Sequence, residues 1–189
     1  MVNEKQLRLF LIFLFSIALS FVAVTGFAAD TATITVTITI EPFQQLKLES
    51  KDPRISVLEK GGNPVSRVEL NRVNSRTITL ESALAATVRS NVEWRVLTHT
   101  ENSYVVENGN QKFSSGPDLS LGIPGLPAGA KRDYSGNWVE VGSRPEGIAT
   151  GNAGSYGPFD ISYKLDFENE PVSELTGAGV DVVYTMMEL

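Results

Sequence analysis

Cysteine is absent from all 189 residues, and histidine occurs once, as His99. Without thiols the chain can form no disulfide, no thiolate metal site, no Cys nucleophile and no lipid-anchored lipoprotein. A single imidazole leaves one place for a Ser-His-Asp triad, and no Gly-x-Ser-x-Gly elbow accompanies it. Phosphate cradles are missing as well: Gly61-Gly62 is followed by no Lys-Ser/Thr and opens no helix. There is no repeat of fixed period, no low-complexity tail and no sustained helical period. The best helical candidate is a turn or two near residues 81–86.

What is present begins with a hydrophobic leader. Lys5 and Arg8 precede an uncharged run over residues 9–29, with the core Leu9-Phe10-Leu11-Ile12-Phe13-Leu14-Phe15 and small residues at Gly26, Ala28 and Ala29. This is the layout of a secretory signal-peptide helix, residues 1–28, cleaved after Ala28 or, as second choice, after Ala29. The alternative is an uncleaved anchor, because a run of this length can cross ~30 Å of hydrocarbon. Both readings place the rest of the chain in the periplasm, at the cell surface or outside the cell. After cleavage no membrane contact is expected.

Removing the leader takes Lys+Arg from 16 to 14 and Asp+Glu from 22 to 21, a net charge of −7. Such a chain repels phosphate backbones, so nucleic acid is not an expected partner. The remaining residues, 29–189, suit a single domain that buries a core without staples.

Their pattern is period two. Ala32, Ile34, Val36, Ile38 and Ile40 point one way and five Thr the other, as on a strand with one wet face. Pro42 ends or bends this strand, and residues 43–49 resume it with Leu46 and Leu48 in phase. Ile55-Ser56-Val57, Val68/Leu70 and Ile78/Leu80 mark further short strands. Two strands meet tightly at Ser90-Asn91, and Val92, Trp94, Val96 and Thr98 share a face beyond it. Phe159, Ile161, Tyr163, Leu165 and Phe167 share another, and residues 180–186 form the last strand. Gly61-Gly62-Asn63-Pro64 and Asn108-Gly109-Asn110 are turn chemistry. Residues 114–157, rich in Gly and Pro, read mainly as surface loops interrupted by a strand at 137–141. The expected fold is all-β: an antiparallel β-sandwich, Ig-like or jelly-roll-like, of roughly seven to ten strands.

Three features carry a resemblance: an alternating strand directly after the leader, the entry Ser90-Asn91-Val92-Glu93-Trp94-Arg95-Val96, and the glycine-led ending from Leu175 through Gly177-Ala178-Gly179 to Tyr184 and Thr185. In them the chain resembles exported bacterial β-sandwich domains of surface and fibre proteins, loosely the spore-coat-U-like and pilus-type subunits. It departs from them where Val180 and Asp181, not an aromatic, follow Gly179, and where the chain ends Met187-Glu188-Leu189. The resemblance implies a structural, adhesive or assembly role in the envelope.

Two groups are candidates for binding. Tyr134, Trp138 and Tyr156 sit in or beside the Gly-rich region, where exposed rings could stack on glycans. The competing reading has Trp138 cover an open end of the sandwich with the tyrosines packed alongside. Ile34, Val36, Ile38 and Ile40 form a candidate strand-exchange segment, because an alternating strand can complete its own sheet or add to a neighbour's edge. Partners would then be further copies or other envelope proteins. Trp94 and Tyr163 read as core. Asp160, Asp166, Glu168 and Glu170 around one strand, with Asp181 on another, could hold Ca²⁺ or hydrolyse a glycosidic bond. They lack the Asp-x-Asx-x-Asx-Gly loop, and alternating acids read more simply as a wet face. His99, opposite Trp94, reads as a surface histidine. No catalytic residue, metal or cofactor is expected. The functional expectation is a non-catalytic exported protein, with a carbohydrate-binding module as the alternative.

Overall fold

A computed structural model describes residues 39–113, 116–168 and 172–189. The leader, its cleavage site and Ile34, Val36 and Ile38 lie outside the described residues, as does Glu170.

The described chain is all-β, with no α-helix and one 3₁₀ turn at Val172–Glu174. Its strands are β1 (Gln44–Ser50), β2 (Ile55–Lys60), β3 (Asn63–Leu70), β4 (Thr77–Ser90), β5 (Trp94–Glu107), β6 (Asn110–Lys112), β7 (Asp118–Gly122), β8 (Ala130–Arg132), β9 (Val139–Val141), β10 (Glu146–Gly151), β11 (Gly154–Asp166) and β12 (Leu175–Glu188). They form two antiparallel sheets. One runs β1-β4-β11-β7-β9, the other β2-β3-β12-β5-β10-β8, with β6 added to β5. The twelve strands among the described residues exceed the seven to ten expected, because β6 and β8 are three residues each and too short to show an alternation, whereas β9 falls within the strand expected at 137–141.

The hairpin turns follow the local chemistry. Gly61 and Gly62 hold φ of 59° and 81° between β2 and β3, and Asn108 and Gly109 hold 49° and 79° between β5 and β6. Two successive positive φ values match the twist of paired strands, and Gly and Asn adopt them at little cost.

Two expectations are corrected. Residues 81–86 are strand, inside β4. Ala83, Leu84, Ala85 and Ala86 are all buried there, and tertiary burial overrides the helical preference of alanine. Ser82 has a φ of 48° beside a register shift opposite Ile161 and Tyr163, the mark of a bulge. The region 114–157 holds β7, β8, β9, β10 and the start of β11. Leu119 and Leu121 of β7 and Ile148 and Ala149 of β10 are buried, so their apolar side chains hold a Gly-rich stretch in the sheets. The two strands expected to join tightly at Ser90-Asn91 are β4, ending at Ser90, and β5, opening at Trp94, and they belong to different sheets. Ser90 Oγ donates to the Val92 carbonyl at 2.7 Å and accepts from its N–H at 3.2 Å, which shapes the crossing.

Residues of both sheets join in one hydrophobic cluster, including Leu84, Leu121, Ile161 and Leu165 of the first and Val68, Trp94, Val105 and Val182 of the second. At its centre lies a chain of hydroxyls. Tyr163 of β11 bonds to Ser66 of β3 at 2.7 Å and to Tyr184 of β12, linking the two sheets. Burial pushes the Tyr163 phenol up to about 12, so both phenols stay neutral donors. Because Tyr163 is the middle member, Tyr163→Phe orphans two buried hydroxyls. It should cost about 1–3 kcal/mol in urea unfolding, and Tyr184→Phe clearly less, since Tyr163 keeps Ser66. Replacing all three together by Phe, Phe and Ala should recover most of the loss.

Candidate functional site

Each sheet ends in an open edge on the same side. Among the described residues, β1 pairs only with β4, from Gln44 opposite Ser90 to Ser50 opposite Leu84, and β2 only with β3. No ladder joins β1 to β2. Between them lies a cleft of about 630 Å³ whose apolar lining is Leu46, Leu48, Val57, Leu58 and Met186. Leu58 is 43% exposed. Gln44 also lines the cleft, and its Nε2 is buried with no acceptor among the described residues. An open strand edge presents unpaired N–H and C=O groups, the template for an added strand.

The chain enters β1 in a fixed direction. Phe43 N–H donates to Asn91 Oδ1 at 2.6 Å, Asn91 N–H donates to the Phe43 carbonyl at 3.1 Å, and Asn91 Nδ2 donates to the Glu41 carbonyl at 2.8 Å. These bonds prolong the β1–β4 ladder. None of residues 39–43 is in a turn. Ile40, the one described member of the strand-exchange segment, is outside any strand and 75% exposed.

The aromatic candidates separate. Tyr156 is buried and packs edge-on against Trp94, with ring centroids 5.4 Å apart, so its ring offers no stacking surface. Tyr134 is half-buried against the core, and its hydroxyl accepts the Ile123 N–H at 2.8 Å. Trp138 alone, half-buried, faces a pocket of about 270 Å³ at the end of β7. Glu81, Arg132, Asn137 and Ser162 share that pocket. Gly122 is required there: a Cβ on it would lie 2.9 Å from the Asn137 carbonyl and 3.0 Å from the indole. The cleft lining Val57, Leu58 and Met186 and the polar groups Glu81 and Arg132 carried no sequence signal, since strands far apart in the chain bring them together.

Several of the candidate acidic side chains have partners. Asp160 is held by Lys51, and Asp166 accepts from the Thr77 hydroxyl at 3.3 Å and the Glu168 N–H at 3.1 Å. Among the described residues, no three acidic or histidine side chains converge on a point that could hold a metal ion. His99 Nε2 lies 3.5 Å from Glu101, and Glu101 also accepts from Lys60 at 2.6 Å. Asp181, nearly buried, takes two bonds from Arg67, at 2.7 and 3.0 Å, and one from Asn102 at 2.9 Å.

No protein-family model matches the chain, and comparison with curated proteins finds no match.

Proposed function

We propose that the protein is an exported, non-catalytic β-sandwich subunit that assembles in the cell envelope or outside the cell. The alternating strand 31–40 of one copy lies in the cleft between β1 and β2 of another. The observation that carries this reading is a pair of edges, unpaired among the described residues, flanking a cleft that presents Leu46, Leu48, Val57, Leu58 and Met186 between polar groups such as Gln45, Lys47 and Asn63. The upstream segment has the complementary character. Ile34, Val36, Ile38 and Ile40 would project at every second residue onto Leu46, Leu48, Val57, Leu58 and Met186, while the threonines face water. Main-chain bonds to the edges would supply affinity, and the apolar pockets the register.

A second copy is favoured over the same chain by the entry to β1. The bonds from Asn91 to Glu41 and Phe43 carry residues 41–43 on along β4's side, and none of the described residues 39–43 is in a turn. The leader, with Lys5 and Arg8 ahead of an uncharged run and Ala28 at its end, supports export to the periplasm, cell surface or medium. The resemblance to fibre-type subunits supports an assembly or adhesive role.

Light scattering after size exclusion tests the proposal. The exported protein is expected to form concentration-dependent oligomers. Deleting residues 31–40, or introducing Val36→Asp with Ile38→Asp, should leave folded monomers. A wild-type protein that stays monomeric over a wide concentration range overturns strand exchange.

A further inference from the structure

We infer that the pocket over Trp138 is a saccharide site that takes one pyranose ring of a neutral glycan. This inference stands apart from strand exchange, since the pocket lies at the end of β7 and uses none of the β1–β2 cleft.

The pocket combines what a sugar ring needs. A pyranose has an apolar C–H face and a rim of hydroxyls that both donate and accept. The half-buried indole of Trp138 provides a flat apolar plate, kept in place by its approach to Gly122. Around it stand an acceptor, Glu81, a multiple donor, Arg132, and an amide of both kinds, Asn137.

The polar groups are also held. Arg132 spends one guanidinium nitrogen on the Gly136 carbonyl at 3.1 Å and another on that of Pro124 at 3.0 Å, which fixes the fork and leaves further N–H groups free to donate. The buried Ser162 hydroxyl accepts the Ser82 N–H at 2.9 Å and donates to Glu81 at 3.4 Å. The bulge at Ser82 thereby orients the carboxylate. Preset donors and acceptors lower the ordering cost of a polar ligand.

Size and charge narrow the ligand. At about 270 Å³ the pocket sits just below the usual ~300–1,000 Å³ of small-molecule sites, which suits a single ring rather than a chain of rings. Glu81 beside Arg132 leaves no net positive field for an acidic sugar. Glu81 is also the only carboxylate in the lining among the described residues. Glycoside hydrolysis needs two carboxyl groups flanking the bond, so the pocket binds without cleaving.

The chain's two tryptophans make the test direct. Trp94 is fully buried, so a ligand-dependent change in emission reports Trp138. The purified protein would be titrated with methyl glycosides of glucose, galactose, mannose and N-acetylglucosamine, and with glucuronate as the acidic comparator. At least one neutral glycoside is expected to give a saturable change. Trp138→Ala should abolish binding measured by calorimetry. Glu81→Gln, at an exposed side chain, should weaken it about ten-fold or more without moving the Tm. Silence with every neutral glycoside, binding of glucuronate alone, or unchanged affinity in Glu81→Gln would each overturn the inference.

Discussion

Trp94→Ala is expected to remove about 3–5 kcal/mol of stability and to lower the Tm by about 10 °C or more. Trp94 opens β5 with no exposed surface and is the largest of the fully buried side chains. Its ring packs edge-on against Tyr156, and its other side is moulded to Gly151, where a Cβ would lie 2.5 Å from the indole. The neighbours are strands tied into ladders, so they can close over the void only in part. That incomplete relaxation puts the loss at the upper end of large-to-small substitutions. Trp94→Phe should cost about half as much. It keeps a ring for Tyr156 and removes an indole N–H that is buried without a partner among the described residues. Urea unfolding followed by circular dichroism checks both, and a Trp94→Ala loss below about 1 kcal/mol would show that the two sheets collapse freely onto the site.

Arg67→Ala is expected to cost about 1–3 kcal/mol near neutral pH, and the cost should fade on acidification. The Asp181 side chain is 9% exposed and that of Arg67 41%, so the carboxylate has left water while the guanidinium is still partly in it. The cost therefore falls short of that for breaking a fully buried pair. Burial alone would raise the Asp181 carboxyl. The bonds from Arg67 and Asn102 and the charges of Arg67 and Lys60 outweigh it and hold the group below its ordinary value of 3.8. A carboxyl with a lowered folded-state pKa contributes stability that is present above the unfolded value and is lost as pH falls through the folded one. Without Arg67 the burial effect dominates, the carboxyl prefers its neutral form, and protonation relieves the variant. The gap between wild type and variant should thus be widest above pH 5 and close towards pH 3. Asp52 and Asp160, also lowered by cationic neighbours, titrate in both proteins and cancel in the difference. An equal loss at every pH would assign the effect to the packing of the arginine stem.

The strands that alternate cleanly were legible as sequence. Trp94, Val96 and Thr98 are buried together, as are Phe159, Ile161, Tyr163, Leu165 and Phe167, because a pleated strand sends every second side chain to the same face. The Gly61-Gly62 and Asn108-Gly109 hairpins were legible for an equally local reason. Residues 81–86 were misread, since alanine's helical preference is small beside the burial offered by β1 and β11 on either side. The strands within 114–157 were obscured because Gly and Pro mark turns, while the ladders that hold β7 to β11 and β10 to β5 join segments remote in the chain. For Tyr156 the Gly-rich neighbours left two readings open, an exposed ring or one packed away, and it is buried. What buries it is Trp94, some sixty residues earlier in the chain.

Sequence alone determined the all-β character and the core identity of Trp94 and Tyr163. Each depends on side-chain period or on the φ preference of a single residue. Only the tertiary structure decided that β4 and β5 lie in different sheets, that β1 and β2 leave open edges around one cleft, and that Glu81 and Arg132 meet at Trp138. Those facts depend on which strands pair and in what register. Pairing is set by burial summed over the whole core, a quantity that no local window of residues contains.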